Sequence, residues 1–195
     1  MTAPLLGSSA LARTTLVLGI ACVYAGAVLV NNNLLFPWLE RENFRSLLFL
    51  PAGLKLFLVM VLGWRAVLGI ALGIMTVMLS EFPHMSALHG LLLGAFAALS
   101  TQITLILCAR VLRVGYPWAT LSWPALCLMA LAVGVVDASV VQGAMVWLGY
   151  EDIEEYWAEA LQGAFGRVLG TFVFLAVSLE VRRHLLRESG PDAGD

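Results

Sequence analysis

Long apolar runs separated by short polar connections make up most of the chain. A helix that crosses about 30 Å of hydrocarbon needs roughly 20 residues, and its backbone polar groups must be paired internally. Six runs reach or approach that length. The pattern therefore predicts an all-α fold, a polytopic transmembrane helix bundle of about six spans. These spans are Thr14–Val30, Ser46–Trp64, Ala66–Ser80, Ala87–Leu112, Trp118–Leu148 and Ala160–Val181.

Composition supports a membrane protein. Of the 195 residues, 61% are hydrophobic and 12% are charged, with a mean hydropathy of +0.90. A soluble domain is about half apolar and a quarter charged. We expect residues 1–195 to form a single integral membrane domain with short cytoplasmic tails at 1–13 and 184–195. No basic residue precedes Arg13, and no clear cleavage pattern follows the first run, which favours a retained first helix over a signal peptide.

The distribution of arginines predicts the orientation of the bundle. With the N-terminus inside, seven arginines fall in cytoplasmic segments and two in outer loops. This bias follows the positive-inside rule and places both termini in the cytoplasm of a bacterial inner membrane. A net charge of −2 argues against nucleic acid as a partner, and the lipid bilayer is the expected surrounding. The inner set is Arg13, Arg65, Arg110, Arg113, Arg182, Arg183 and Arg187, and the outer set is Arg41 and Arg45.

Three ionisable residues lie inside predicted spans, where charges are costly and usually functional. A rise of about 1.5 Å per residue places Lys55, Asp137 and Arg167 roughly 14, 16 and 10 Å below the outer surface. Similar depths predict one shared site with a net charge of +1, suited to a small anionic ligand. Gln102 and Gln142 are candidates for additional hydrogen bonds. The alternative is that Lys55 and Asp137 merely tie two helices together while Arg167 extends outward.

Metal and redox chemistry have weak support. His84, Met85 and His89 lie together at the outer membrane edge, and His with Met can bind copper, but their spacing matches no standard site. The three cysteines lie inside apolar runs without CxxC spacing, so we interpret them as packing residues. We expect no cofactor. These cysteines are Cys22, Cys108 and Cys127.

Catalysis also has little support. The sequence contains no GxSxG, no HExxH, no glycine-rich phosphate loop and no paired carboxylates within one span. A single intramembrane aspartate cannot form an aspartyl dyad. We therefore expect a protein that is not an enzyme.

Two segments resemble the MASE1 membrane sensor domain. The first is FLPAGLKLFLVMVLGWRAVLGIALG at residues 49–73, and the second is YWAEALQGAFGRVLGTFVFLAVSLEVRR at residues 156–183. The resemblance covers about residues 30–183 and implies membrane sensing or partner binding. Lys55 stands where the family has an apolar residue and Arg167 where it has an acid, so the family's ligand is not expected to carry over. The chain also has fewer spans than is typical, and no kinase or cyclic-nucleotide output domain.

Small residues recur at four-residue spacing within the predicted spans. Such pairs share one helix face and let two backbones approach closely. Packing within the chain is the simpler interpretation, and a homo-oligomer interface is the alternative. The pairs are Gly69 with Gly73, Gly90 with Gly94, and Gly166 with Gly170.

Three functions are consistent with these features. The first is a stand-alone sensory or regulatory module that binds a small ligand or a partner membrane protein and signals through that partner. The second is an accessory subunit of a larger membrane complex. The third is the substrate-binding component of a transporter like those of the energy-coupling-factor class. A cavity that reaches Lys55, Asp137 and Arg167 would favour ligand binding, and a filled interior would favour the accessory role.

Overall fold

The computed structural model describes residues 10–35, 40–41, 45–114 and 122–188. Helix α1 continues directly into a π-helical turn, Asn31–Leu35, and two short strands pair antiparallel before α2, with Arg41 opposite Arg45. The helices are α1 Ala10–Val30, α2 Pro51–Leu62, α3 Trp64–Glu81, α4 Ala87–Val111, α5 Trp123–Trp147 and α6 Tyr156–Glu188, and the strands are β1 Glu40–Arg41 and β2 Arg45–Ser46.

The described part of the chain confirms a polytopic helical bundle. Five of its helical stretches are long and apolar enough to cross a membrane: Ala10–Leu34, Trp64–Glu81, Ala87–Val111, Trp123–Trp147 and Tyr156–Val181. These correspond to the first, third, fourth, fifth and sixth predicted spans. The start predicted for the fifth span, Trp118, lies outside the described residues. The last helix runs on to Glu188, so the tail predicted from residue 184 begins with helical residues.

The second predicted span, Ser46–Trp64, is wrong in length. Helix α2 has only 12 residues, which gives about 18 Å of rise, well short of the roughly 30 Å of hydrocarbon. The chain before Pro51 is not helical. The Phe49 N–H there donates to the Gly166 carbonyl of α6 and not to a carbonyl in the preceding turn of its own segment. Continuous hydrophobicity over residues 46–64 therefore does not reflect a continuous helix.

Helices α3 and α4 run antiparallel, whereas α1 and α3 run parallel, and close backbone contacts fix the spacing of both pairs. A Cβ at Gly94 would collide with the Ala71 carbonyl of α3, and one at Gly69 would lie 2.8 Å from the Val17 carbonyl of α1. Two of the predicted glycine pairs therefore contribute to packing within the chain. The buried apolar core lies between α1, α2, α3, α4 and α5, and it includes Tyr24, Leu56, Ile70, Leu105 and Met129.

Candidate functional site

Helix α2 begins in the interior of the bundle. The Phe49 N–H donates to the Gly166 carbonyl of α6 at 3.1 Å, and the Leu50 N–H donates to Asn31 Oδ1 at 3.1 Å. Gly166 is ten residues after the start of α6, which corresponds to about 15 Å of depth. Non-helical backbone is tolerated at such depth only where protein or water satisfies it. Asn31 and Gly166 do so here, and Pro51, in the first turn of α2, has no N–H to satisfy.

Lys55 projects from this short helix into an ionic cluster. Its Nζ lies 2.6 Å from Asp137 Oδ1 and donates to the Ala97 carbonyl at 3.4 Å. The other carboxylate oxygen, Asp137 Oδ2, accepts from Arg167 Nε at 2.8 Å, and Ser100 Oγ donates to Oδ1 at 3.0 Å. The predicted convergence of Lys55, Asp137 and Arg167 is thus confirmed. Lys55 and Asp137 do tie two helices together, but Arg167 contacts Asp137 rather than simply extending outward.

The three charges differ in their access to space. The side chains of Lys55 and Asp137 are each 2% exposed, whereas that of Arg167 is 20% exposed. Both carboxylate oxygens of Asp137 already have partners. Arg167 is the more exposed of the two cations, so a ligand would meet the excess positive charge of the cluster at its guanidinium. The Arg167 guanidinium also lies 5.9 Å from the centre of the Phe49 ring, a cation–π distance that helps hold it in place.

A cavity lies directly above this cluster. Its volume is about 140 Å³, which is room for several waters. All of Lys55, Asp137 and Arg167 line it, together with residues of α1, α3, α4, α5 and α6. The lining residues farthest from the cluster are Glu81, at the end of α3, and Glu151, shortly after α5, so the cavity extends from this end of the bundle to its centre. The arginine distribution predicts that this end faces outward.

The comparison with protein families decides the relationship of this chain to known proteins. The MASE1 family model matches residues 14–192. The chain belongs to the MASE1 family. MASE1 domains are membrane-associated sensory domains, and the resemblance seen in residues 49–73 and 156–183 is thereby confirmed. No match was found among curated proteins or among solved structures.

The two glutamine candidates of this MASE1 domain have different positions. Gln142 is 5% exposed, lines the cavity, and donates through Nε2 to the Glu151 carboxylate. Gln102 does not line the cavity, although it is buried, and its Oε1 has no hydrogen-bond partner among the described residues. Gln102 is two positions after Ser100 on α4, which turns its side chain by roughly 200° around the helix, away from Asp137. Gln102 is therefore not among the residues that the structure brings together around the cavity.

The outer-edge candidates for a metal do not form a common site. His84 is exposed, Met85 is buried in a small apolar cluster, and His89 Nδ1 lies 2.8 Å from the Tyr150 hydroxyl. Within the described ranges, no group of three His, Cys, Asp or Glu side chains is arranged to hold a metal ion. The positions therefore give the copper hypothesis no support.

Several residues of the site were missed by the sequence analysis. Ser100 donates a hydrogen bond to Asp137, and Asn31 accepts one from the Leu50 N–H at the start of α2. Tyr24 and Glu159 line the cavity. Asn31 belongs to a run of three asparagines directly after the first predicted span, a polar signal that the sequence analysis did not use. Serine and tyrosine are common within membrane helices, so Ser100 and Tyr24 carried no distinguishing signal.

Proposed function

We propose that this MASE1 domain is a sensory or regulatory module of the bacterial inner membrane that binds a small carboxylate-bearing ligand in its cavity. The ligand-bound state is then communicated to a partner membrane protein. The observation that carries this proposal is the cavity that extends from the outer end of the bundle to Arg167, the accessible cation of a buried ionic cluster.

A carboxylate fits the chemistry at the base of this cavity. Asp137 is compensated twice, by Lys55 and by Arg167, so the cluster has a formal charge of +1. Only Nε of the guanidinium is used by the aspartate. A planar guanidinium can offer parallel N–H groups to a carboxylate, and such charge-assisted pairs are among the strongest hydrogen bonds in proteins. Burial on all other sides reduces screening by solvent.

The cavity favours ligand binding over an accessory role that depends on packing alone. A scaffold subunit needs only a filled interior, and filling is the normal state of helix bundles. Space for several waters beside three ionised groups is instead typical of a ligand site. The substrate-binding component of a transporter would also need such a cavity, and we favour the sensory role because MASE1 is a family of membrane-associated sensory domains.

Helix α6 provides a route for the signal. It carries Arg167 and continues without interruption to Glu188, beyond the apolar stretch that ends at Val181. Helix α2 runs beside it in the same direction, with Gly53 packed against Phe174. A ligand that pulls on the guanidinium alters contacts on both helices, and the partner reads the change at their inner ends. A shift of this kind is limited by the difference in ligand affinity between the two states.

Native mass spectrometry tests the ligand proposal. The full chain is purified from its native membrane in a mild detergent, together with Arg167→Gln and the matched control Arg110→Gln, which alters an arginine outside the cavity. We expect a small organic acid to accompany the unaltered chain and the control, and to be lost from Arg167→Gln. Equal retention by all three proteins would contradict the proposal.

A further inference from the structure

An apolar layer lines the cavity next to the ionic cluster, on the side towards the outer end. Val141 lies four residues from Asp137 on α5, which is about one helical turn. The other members of the layer are Val28 of α1, Val77 of α3 and Leu93 of α4, and each likewise lies four residues from another lining residue of its own helix. None of these four side chains can form a hydrogen bond, so the part of a ligand that lies among them should be apolar.

The acidic residues farther towards the outer end already have partners. Glu81, Glu151 and Glu159 line the cavity, and each takes part in an interaction of its own. Gln142 donates to the Glu151 carboxylate. The charged group that a ligand would meet is therefore the guanidinium at the base, where Asp137 uses only the Nε of the arginine.

A tyrosine of α1 lies beside the cluster and offers a second donor. Tyr24 lines the cavity, is 1% exposed, and lies close enough to Asp137 and Arg167 to interact electrostatically with both. Within the described part of the chain, its hydroxyl has no hydrogen-bond partner. Buried hydroxyls are normally paired, and a phenol O–H donates well to a carboxylate. The hydroxyl is thus suited to an acceptor that enters the cavity.

We infer that the ligand is a short aliphatic monocarboxylate. Its carboxylate lies between the Arg167 guanidinium and the Tyr24 hydroxyl, and its alkyl chain lies in the apolar layer. The inference rests on the proposed function and names the class of its ligand.

The size of the cavity limits the length of the alkyl chain. The volume is about 140 Å³, and an apolar cavity of about 150 Å³ in another protein holds one molecule of benzene. A ligand of roughly six to eight non-hydrogen atoms therefore fits. Butanoate and hexanoate have these sizes. A second carboxylate at the far end of such a chain would lie in the apolar layer, where a charge without a partner is costly.

Isothermal titration calorimetry on the full chain in lipid nanodiscs tests this class of ligand. The probes are hexanoate, butanoate, which is shorter, adipate, which adds a second carboxylate, and hexanol, which lacks the carboxylate. We expect hexanoate to bind about tenfold or more tightly than each of the others. Against butanoate, the gain comes from two further buried methylenes at roughly fourfold each. This comparison uses the unaltered protein and does not depend on any variant folding.

A conservative variant tests the second donor. Tyr24→Phe should bind hexanoate about tenfold more weakly, the effect expected when a hydrogen bond to a charged group is lost, and should bind hexanol as before. Its melting temperature should not change, because the hydroxyl has no partner to lose among the described residues. The matched control is Tyr156→Phe, since Tyr156 donates to the Ser139 carbonyl and does not line the cavity. It should retain the original affinity for hexanoate.

The outcomes separate this inference from the proposed function. If adipate or butanoate binds as tightly as hexanoate, the aliphatic monocarboxylate is wrong and the carboxylate site stands. Unchanged hexanoate affinity in Tyr24→Phe, or an equal loss in Tyr156→Phe, would overturn the role of Tyr24. If hexanol binds as tightly as hexanoate, or if no probe binds, both the inference and the proposed function are wrong.

Discussion

At the scale of single residues, the central feature is one aspartate shared by two cations. Asp137 accepts from Lys55, Arg167 and Ser100, and it is 2% exposed. An ion pair in a low-dielectric interior stabilises only when its geometry is good, but removal of one partner leaves an uncompensated charge. The three residues therefore contribute unequally to stability. Asp137 neutralises the charges of both Lys55 and Arg167, whereas each of these two cations has the other beside it to pair with Asp137.

Loss of the aspartate should be the most damaging single change in the cluster. We expect Asp137→Asn to lower the free energy of unfolding by about 3–5 kcal/mol, because Lys55 would remain charged and unpaired in a dry site. Thermal denaturation in detergent measures this.

The double variant of Asp137→Asn with Lys55→Met is the matched control for that change. It removes both charges of the buried pair, so it should recover part of the loss and give a clear coupling in a double-mutant cycle. Equal stability of Asp137→Asn and the unaltered chain would contradict an ionised pair.

At the scale of elements, α2 is the part of the fold that sequence patterns described least well. Its hydrophobicity predicted a full span, but the structure has a half-length helix whose start is held by Asn31 and Gly166. Hydropathy reports the preference of side chains for lipid or core, and it does not report which groups the backbone pairs with. The donation from Phe49 to another helix is a tertiary contact, so no local pattern could have revealed it.

The side chain of Asn31 should be necessary for the position of α2. Asn31→Ala would leave the partly buried Leu50 N–H without its acceptor, at a cost of about 1 kcal/mol in unfolding free energy. Asn33→Ala alters an exposed asparagine two residues away whose side chain donates to the Leu29 carbonyl of its own helix, and it should be nearly neutral. Similar melting temperatures for the two variants would argue against this role of Asn31.

Close packing against α6 should also hold α2 and its lysine in place. A Cβ at Gly170 would collide with the Phe49 carbonyl, so Gly170→Ala should displace the start of α2. Lys55 is the single lysine of the chain, and labelling by an amine-reactive reagent, read by mass spectrometry, reports its exposure. We expect Lys55 to be labelled roughly tenfold faster in Gly170→Ala than in the unaltered chain. This is the factor expected if the free energy needed to expose Lys55 falls by about 1.4 kcal/mol.

Gly26→Ala is the matched control for this experiment, because a Cβ at Gly26 meets no atom within 4 Å. It should label at the rate of the unaltered chain. Unchanged labelling in Gly170→Ala would show that the contact does not restrain α2.

At the scale of the whole molecule, the arrangement of helices was largely predictable and the cavity was not. Five spans follow from hydropathy, and the depth of Lys55, Asp137 and Arg167 follows from counting residues along each span. Neither argument gives the rotation of a helix about its axis, which decides that Ser100 faces Asp137 while Gln102 faces away. The acidic residues at the outer end could not be assigned to one space, because Glu81, Glu151 and Glu159 come from segments whose packing depends on the complete fold.

The orientation of the bundle decides from which side a ligand enters. The arginine distribution predicts that the connection between α5 and α6 faces outward and that the end of α6 faces the cytoplasm. In a background without the three native cysteines, Glu154→Cys should react with a membrane-impermeant maleimide in intact cells, since Glu154 is exposed in that connection. His184→Cys should react only after permeabilisation. The reverse pattern would place the cavity mouth on the cytoplasmic side.

The most direct test of the account is the affinity of the full chain for hexanoate, measured in nanodiscs, with Arg167→Gln and Arg110→Gln beside it. A guanidinium that binds the carboxylate at the base of the cavity predicts at least about a tenfold loss for Arg167→Gln, or about 1.4 kcal/mol. Arg110→Gln should retain the original affinity. Equal affinities for all three proteins, or equal losses in both variants, would contradict the assignment of this cavity as the ligand site.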